Sequence, residues 1–280
     1  MLTNEQFERT RQLALRLAGI ELFERHREVL DRRSRRLGIH DGAGFEALLN
    51  RADDDDPTAI RQLVGLLTTN FSGFFRHPQH FELAAEHALW AVHRRGEARL
   101  WSAAAAAGEE PYSLAMALIE VFQRHDPPIT ILATDIDEDA LAIARQGEYA
   151  ERALSALATG RRTRFFSQAT NVRPWRISQT VRDLVEYRGL NLADLVWPIA
   201  GPFDVVFCRN VLMYLDASHR YAVLERMASV LAPDGMLILD PTEHLGKADH
   251  LFGPGSNGVY SGRQASRIRS DRLPVDRNAV

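Results

Sequence analysis

Residues 101–113, Trp-Ser-Ala-Ala-Ala-Ala-Ala-Gly-Glu-Glu-Pro-Tyr-Ser, constrain the fold of this chain more than any other stretch. An alanine run favours helix by propensity alone, but its flanks oppose that. Ala98–Trp101 is a short apolar run suited to a buried strand, Gly108 interrupts the chain, and Pro111 stands where a first helical turn tolerates proline. Leu114, Met116, Leu118, Ile119, Val121 and Phe122 then make a mostly apolar helix. The order strand, small-residue loop, helix is the unit with which a doubly wound α/β sheet holds a nucleotide-like ligand at the carboxyl end of its first strand.

The surroundings divide into a helical part and an α/β part. Residues 1–67 read as an all-α N-terminal domain of four helices. Phe7, Leu13, Leu15, Leu17 and Ala18 line the first, which Gly19 ends. The second runs from about Glu21 to Leu37 with Phe23, Val29, Leu30 and Leu37 facing inward. The third covers about Gly44–Leu49 and the fourth Thr58–Leu67, whose positive end the run Asp53–Asp56 favours. From Pro78 strands alternate with helices, the pattern of a mostly parallel sheet. Helices are expected at Gln79–Arg95, Glu138–Arg145 and Ser218–Leu231; further strands are expected at Thr130–Thr134, Phe203–Cys208, Met236–Leu239 and near Gly258–Tyr260. The α/β domain spans 68–264. Within it, 148–190 loses periodicity and reads as a small β-subdomain, with Trp175–Ile177 and Val181–Tyr187 as antiparallel strands. Residues 265–280 are polar and arginine-rich, as in a flexible tail.

Charge and cysteine usage narrow the function classes. The formal net charge of −3 gives no reason to expect nucleic acid as a partner. The lone Cys208 lies in an apolar run, which makes it a core residue and excludes an internal disulfide. No apolar stretch approaches the ~20 residues that span a bilayer, and no signal-peptide core is present. A cytoplasmic protein without membrane insertion is expected.

The loop also restricts the ligand. A dinucleotide site wants G-x-G-x-x-G after the first strand, whereas only Gly108 is available here. Glu109 and Glu110 would repel pyrophosphate, and no Gly-Lys-Ser/Thr of a Walker loop occurs. A zwitterionic or cationic nucleoside fits better, with S-adenosyl-L-methionine as the common example. Asp135 ends the second strand, where an acid either accepts from both ribose hydroxyls or caps a helix. Asp137 is the better cap, since Glu138 and Asp139 follow in a first turn.

From about residue 5 to 262 the chain resembles the CheR-type chemoreceptor glutamate O-methyltransferases. The motifs are Thr68-Thr69-Asn70-Phe71-Ser72-Gly73-Phe74-Phe75-Arg76, the loop Trp101–Ser113, Thr134-Asp135-Ile136-Asp137, the pair Asn191-Leu192 and Phe203–Val211. Tyr214 also stands where the family carries a tyrosine. The resemblance implies a Rossmann-like methyltransferase sheet and S-adenosyl-L-methionine as cofactor, with S-adenosyl-L-homocysteine as product. It implies that Asn70, Ser72 and Arg76 hold the methionine end, as a guanidinium forks onto a carboxylate. Gly108 and Glu110 would belong to the cofactor loop, with Glu110 facing the cationic part. Asp135 would take the ribose; Asn191 would read the adenine edge and Leu192 cover its face; Asn210 and Val211 would continue that wall. Phe74 and Phe75 are expected to pack and fix Arg76. Methyl transfer to an ionised glutamate needs no general base, and no Ser-His-Asp or metal constellation is expected. Arg76, Arg209 and Tyr214 are the candidates for the reacting centre, the last two to position the incoming carboxylate.

Partners follow from charge. Arg25, Arg27, Arg32, Arg33, Arg35 and Arg36 outnumber Glu28 and Asp31 on the second helix. A cationic face there would dock on the cytoplasmic helical region of a methyl-accepting chemoreceptor. The turn Gln179-Thr180 lacks glycine and the excursion is short, which argues against its gripping a receptor's C-terminal peptide. Two departures from the family pattern stand out: Ala106-Ala107 replaces Ser-Thr before Gly108, and Asp240-Pro241-Thr242-Glu243 replaces Gly-His-Ser-Glu. They allow a specialised member serving a receptor outside swimming behaviour; the alternative function is a catalytically weak cofactor-binding interaction module that docks through the arginine helix.

Overall fold

The computed structural model describes residues 2–68, 72–168 and 174–262. Local signals start and stop most helices. α1 (Asn4–Ala18) opens on a Thr3–Gln6 capping box and closes on Gly19 at φ 65°. A 3-10 turn, Glu24–His26, leads into α2 (Arg27–Arg36). α3 (Gly42–Asp53) is capped by Asp41, and α4 (Pro57–Leu67) by Asp56. These helices bury Phe7, Leu13, Leu30, Phe45, Leu49 and Leu63 in one core.

The helical domain departs from expectation in three places. The second helix is shorter than Glu21–Leu37, and Phe23 and Leu37, outside it, are exposed at 41% and 50%. Arg25 covers Phe23 from 4.7 Å instead. Leu15 lies off the stripe made by Phe7, Thr10, Ala14 and Ala18 and is exposed. α3 outruns Gly44–Leu49 because Arg9 reaches Glu46, Asn50 and Asp53 along one of its faces.

The second part is an open sheet. α5 (Pro78–Arg95), β1 (Ala98–Ser102), α6 (Glu109–Phe122), β2 (Ile129–Asp135) and α7 (Glu138–Gln146) come first. A small excursion follows: β3 (Glu148–Tyr149), α8 (Thr159–Phe165), β4 (Phe166–Ser167), β5 (Trp175–Ile177) and α9 (Gln179–Arg182). The chain then returns through β6 (Val185–Gly189), β7 (Phe203–Cys208), α10 (Ala217–Val230), β8 (Leu231–Leu239) and β9 (Val259–Ser261). The six-stranded order is β6-β2-β1-β7-β8-β9, parallel except for β9. Its centre is buried on both faces, as parallel sheets require. Leu100, Ile131, Val205 and Ile238 pack on α5 and α6, while Trp101, Val206 and Leu237 pack on α10. The mostly parallel α/β class expected from the sequence is the observed one.

The excursion is antiparallel, as expected, but differently composed: its three strands are β3, β5 and β4. Val181 is helical and fully buried, and Gln179-Thr180 begins α9 rather than a strand turn. Val185–Tyr187 belongs to the main sheet, paired in parallel with Ile131–Ala133. That pairing sends the chain after β6 to the carboxyl end of the sheet. The expected tail, 265–280, lies outside the described residues, and no described helix is long and apolar enough to cross a membrane.

Candidate active site

The carboxyl ends of β2, β1, β6 and β7 open on one cleft, and the helical domain closes its other side with Ala18, Ile20 and Leu67. The alanine loop after β1 is its floor and is not helical. Ala103 N donates to Phe207 O and Ala105 N to Thr134 O, which extends the ladders of the flanking strands. Ala106 N then donates to Asp135 Oδ2 at 2.8 Å, with Ala106 at φ 46°. Gly108 stands at φ 95°; a Cβ there would come within 2.9 Å of Ala144 Cβ and of Tyr187 Oη. Gly108 is therefore required by the turn and by packing behind the loop, and it is not among the residues that line the cleft.

Asp135 is held as an acceptor. Its Oδ1 takes Asp137 N at 2.9 Å and its Oδ2 takes Ala106 N, so each oxygen retains a second acceptor position. Burial pushes its carboxyl up, and these backbone donors oppose that. Asp137 is the helix cap, accepting from Asp139 N and Ala140 N.

Glu110 and Arg209 form a pair in the lining of the cleft. Arg209 Nη1 lies 3.4 Å from Glu110 Oε2, and Ser102 Oγ donates to Glu110 Oε1 at 2.9 Å. Burial raises the Glu110 carboxyl, against the pull of Arg209. Arg209 Nη2 donates to the carbonyl of Arg76 at 2.7 Å. The Arg209 side chain lines the cleft but is only 3% exposed, and its contacts with Glu110 and the Arg76 carbonyl leave it little surface for an incoming carboxylate. It holds the floor and the Arg76 segment instead. The Arg76 side chain lines the cleft and is about a third exposed.

The remaining expected residues divide. Ser72 lines the cleft and is hydrogen-bonded to the half-buried Glu109, while Asn70 lies outside the described residues. Phe74 and Phe75 are buried and pack edge-on against Tyr149 and Phe81, as packing residues should. Leu192, Asn210, Val211 and Tyr214 all line the cleft. Asn191 lines it too, but its Nδ2 donates to Leu17 O at 2.7 Å and its Oδ1 accepts from Ala193 N at 3.0 Å. It thereby ties the end of α1 to the sheet. Cys208 is fully buried, and burial pushes its thiol well up, so it is a core residue.

Glu243 was missed by the sequence reading. Its carboxylate accepts from Asn210 N at 2.9 Å, Asp240 N at 3.1 Å and Met213 N at 3.3 Å, joining the turn after β7 to the loop after β8. An acid four residues past a strand, standing at the Glu of the family's Gly-His-Ser-Glu, was its signal.

A parallel sheet with an uncharged loop after β1, an acid ending β2 and no phosphate cradle defines a Rossmann-like methyltransferase that uses S-adenosylmethionine. Comparison makes the assignment specific. Residues 70–260 match the family described as CheR methyltransferase, SAM binding domain. Chemotaxis protein methyltransferase 2 of Pseudomonas aeruginosa is 39% identical over 92% of this chain and 93% of its own length. The chemotaxis protein methyltransferase of Escherichia coli is 35% identical over 93% and 91%. The chain belongs to the CheR methyltransferase family, and its cofactor is S-adenosylmethionine.

The residues present suit that cofactor. Asp135 keeps acceptor capacity for a diol, Arg76 offers an exposed guanidinium for a carboxylate, and the acids Glu109 and Glu110 suit a cation and oppose a phosphate.

Proposed function

We propose that this protein transfers the methyl group of S-adenosylmethionine to glutamate side chains in the cytoplasmic helical region of a methyl-accepting chemoreceptor, giving glutamyl methyl esters. The observation that carries this reading is the meeting of Arg76, Glu110 and Asp135 in one cleft that the helical domain closes. The names of the relatives support the chemotaxis setting.

In this reading Arg76 binds the methionine carboxylate, Asp135 the ribose hydroxyls, and Leu192 and Val211 cover the base. When bound, the cofactor supplies an electrophilic sulfonium methyl. The acceptor glutamate is ionised near neutral pH, with an unperturbed pKa of about 4.3, so no residue has to remove a proton. The work of the protein is alignment, which can contribute about 7–11 kcal/mol in well-oriented systems. Tyr214, half-buried on the cleft wall, orients the incoming carboxylate, and Arg209, in the same lining, holds the Arg76 segment.

Incubation with methyl-labelled cofactor and receptor cytoplasmic fragments tests this. Base-labile methyl ester on receptor glutamates is expected. Binding of S-adenosylhomocysteine without ester on any receptor of the same genome would favour a docking module that does not turn over.

A further inference from the structure

Asp240, the residue after β8, is only 2% exposed and its two carboxylate oxygens are treated differently. Oδ1 is satisfied within its own loop, accepting from Thr242 N at 3.1 Å and Thr242 Oγ1 at 2.7 Å. Oδ2 is buried without a hydrogen bond among the described residues, and it lies 3.5 Å from both Arg76 Nη2 and His77 Nε2. Burial raises the carboxyl, but Thr242, the Asn210 side chain and Arg76 outweigh it and bring it down to about 2, so it is ionised near neutrality. A buried carboxylate oxygen without a donor is costly unless a cation faces it. Arg76 is the permanently charged group that does.

The other end of Arg76 is fixed as well. Its neighbours Phe75 and His77 both have left-handed backbone, at φ 51° and 59°, and its carbonyl accepts from Arg209. Backbone of this kind persists only where its surroundings impose it. The segment is thus held at the main chain by Arg209 and at the guanidinium by Asp240. A guanidinium has five N–H donors and Asp240 Oδ2 faces it at Nη2, so the fork keeps donors for a second carboxylate.

We infer that Asp240 is a positioning residue, which anchors one nitrogen of Arg76 so that the rest of the guanidinium meets the carboxylate of an amino-acid-bearing nucleoside. This rests on the cofactor site of the proposed function and adds a residue that does not itself touch the cofactor.

Calorimetry on the full chain tests it with two ligands, S-adenosylhomocysteine and 5′-methylthioadenosine, which lacks the amino-acid carboxylate. Asp240→Asn keeps an acceptor for Thr242; Asp240→Ser is the second variant should Asn fold poorly. The variant is expected to bind S-adenosylhomocysteine roughly two- to tenfold more weakly, the range for losing one side chain's preorganisation. Its affinity for 5′-methylthioadenosine stays unchanged, and in an Arg76→Ala background Asp240→Asn adds nothing. Equal weakening for both ligands would mark a merely structural loop and overturn the inference, as would unchanged or tighter binding of S-adenosylhomocysteine. Wild type that binds neither ligand would instead overturn the cofactor site itself, and the inference with it.

Discussion

Arg209 Nη1 and Glu110 Oε2 meet 3.4 Å apart in the lining of the cleft, in side chains 3% and 12% exposed. Removing one partner of a buried pair strands the other, at a cost of about 3–5 kcal/mol. Arg209→Met should therefore lose that much stability in urea at neutral pH, and Glu110→Gln with Arg209→Met should recover most of it. The single variant has a further signature. Burial raises the Glu110 carboxyl above its unfolded value, and without Arg209 that shift grows. The folded state then holds a proton that the unfolded state has released, so the penalty sets in as pH rises past about 4.3 and is relieved below it. An Arg209→Met defect independent of pH would argue against Glu110 as its source.

Asp135 both shapes the loop and waits for a ligand. It accepts from Ala106 N and Asp137 N, and in the proposed site it accepts two ribose hydroxyls as well. Hydrogen bonds to a charged acceptor contribute about 1.5–3 kcal/mol each. Asp135→Ala should weaken S-adenosylhomocysteine binding by at least about tenfold on that scale, measured by calorimetry. Asp135→Asn should rescue little, because its amide would set an NH2 group against one of the two backbone donors.

What the sequence made legible here is local, and what it hid is distant. Asp137 as a cap, Gly19 as a helix end and the strand–loop–helix around Gly108 are settled by neighbours within a few residues. Asn191 is different. Its donor reaches Leu17, 174 positions away, so a residue expected to read a base also ties the end of α1 to the sheet. Arg33 looked like part of a docking face, yet it donates to the carbonyls of Leu66 and Thr68 at 2.7 Å. Glu243 collects its donors from 30 to 33 residues upstream as well as from Asp240. Val185–Tyr187 has strand periodicity, but nothing local says which of two sheets it joins; the parallel register with Ile131–Ala133 decides that.

The Asn191 tie makes its own prediction. Asn191→Ala leaves the carbonyl of Leu17 and the amide of Ala193 without these partners, and each lost hydrogen bond is worth roughly 1 kcal/mol. Chemical denaturation should show a loss of about 1–2 kcal/mol even without ligand. Unchanged stability with weaker S-adenosylhomocysteine binding would restore the residue to base reading alone.

Asp216 supplies an acid-sensitive helix start. It caps α10, accepting from Ser218 N and His219 N, and lies 3.0 Å from His219 Nδ1. Burial pushes its carboxyl up, but the donors from His219 and Ser218 prevail and bring it down to about 2. A carboxyl lowered on folding contributes stability that is complete above its unfolded value, about 3.9, and is lost as pH falls towards 2. Asp216→Asn keeps a capping oxygen and removes the charge. The gap in unfolding midpoint between wild type and this variant should be largest above about pH 4 and close towards pH 2. A gap that does not change across that interval would assign the effect to geometry instead of charge.

The arginines of the second helix do not act as one face. Arg27 stacks on Phe7 and Arg33 holds the end of α4, while Arg35 pairs with Asp31. Arg32 and Arg36, one helical turn apart, are exposed and make no ion pair among the described residues. If the helix docks an acidic receptor bundle, these two carry the attraction. Arg32→Glu with Arg36→Glu should weaken binding to a receptor cytoplasmic fragment several-fold at low salt. The difference should shrink as ionic strength rises, since exposed charges are screened over about 8 Å at physiological salt. Affinity for S-adenosylhomocysteine should not change, because neither residue reaches the cleft. Arg33→Ala should behave differently, loosening the helical domain through the carbonyls of Leu66 and Thr68. Equal receptor binding by the double-reversal variant and wild type at low salt would move docking away from α2, to a surface on which these charges do not bear.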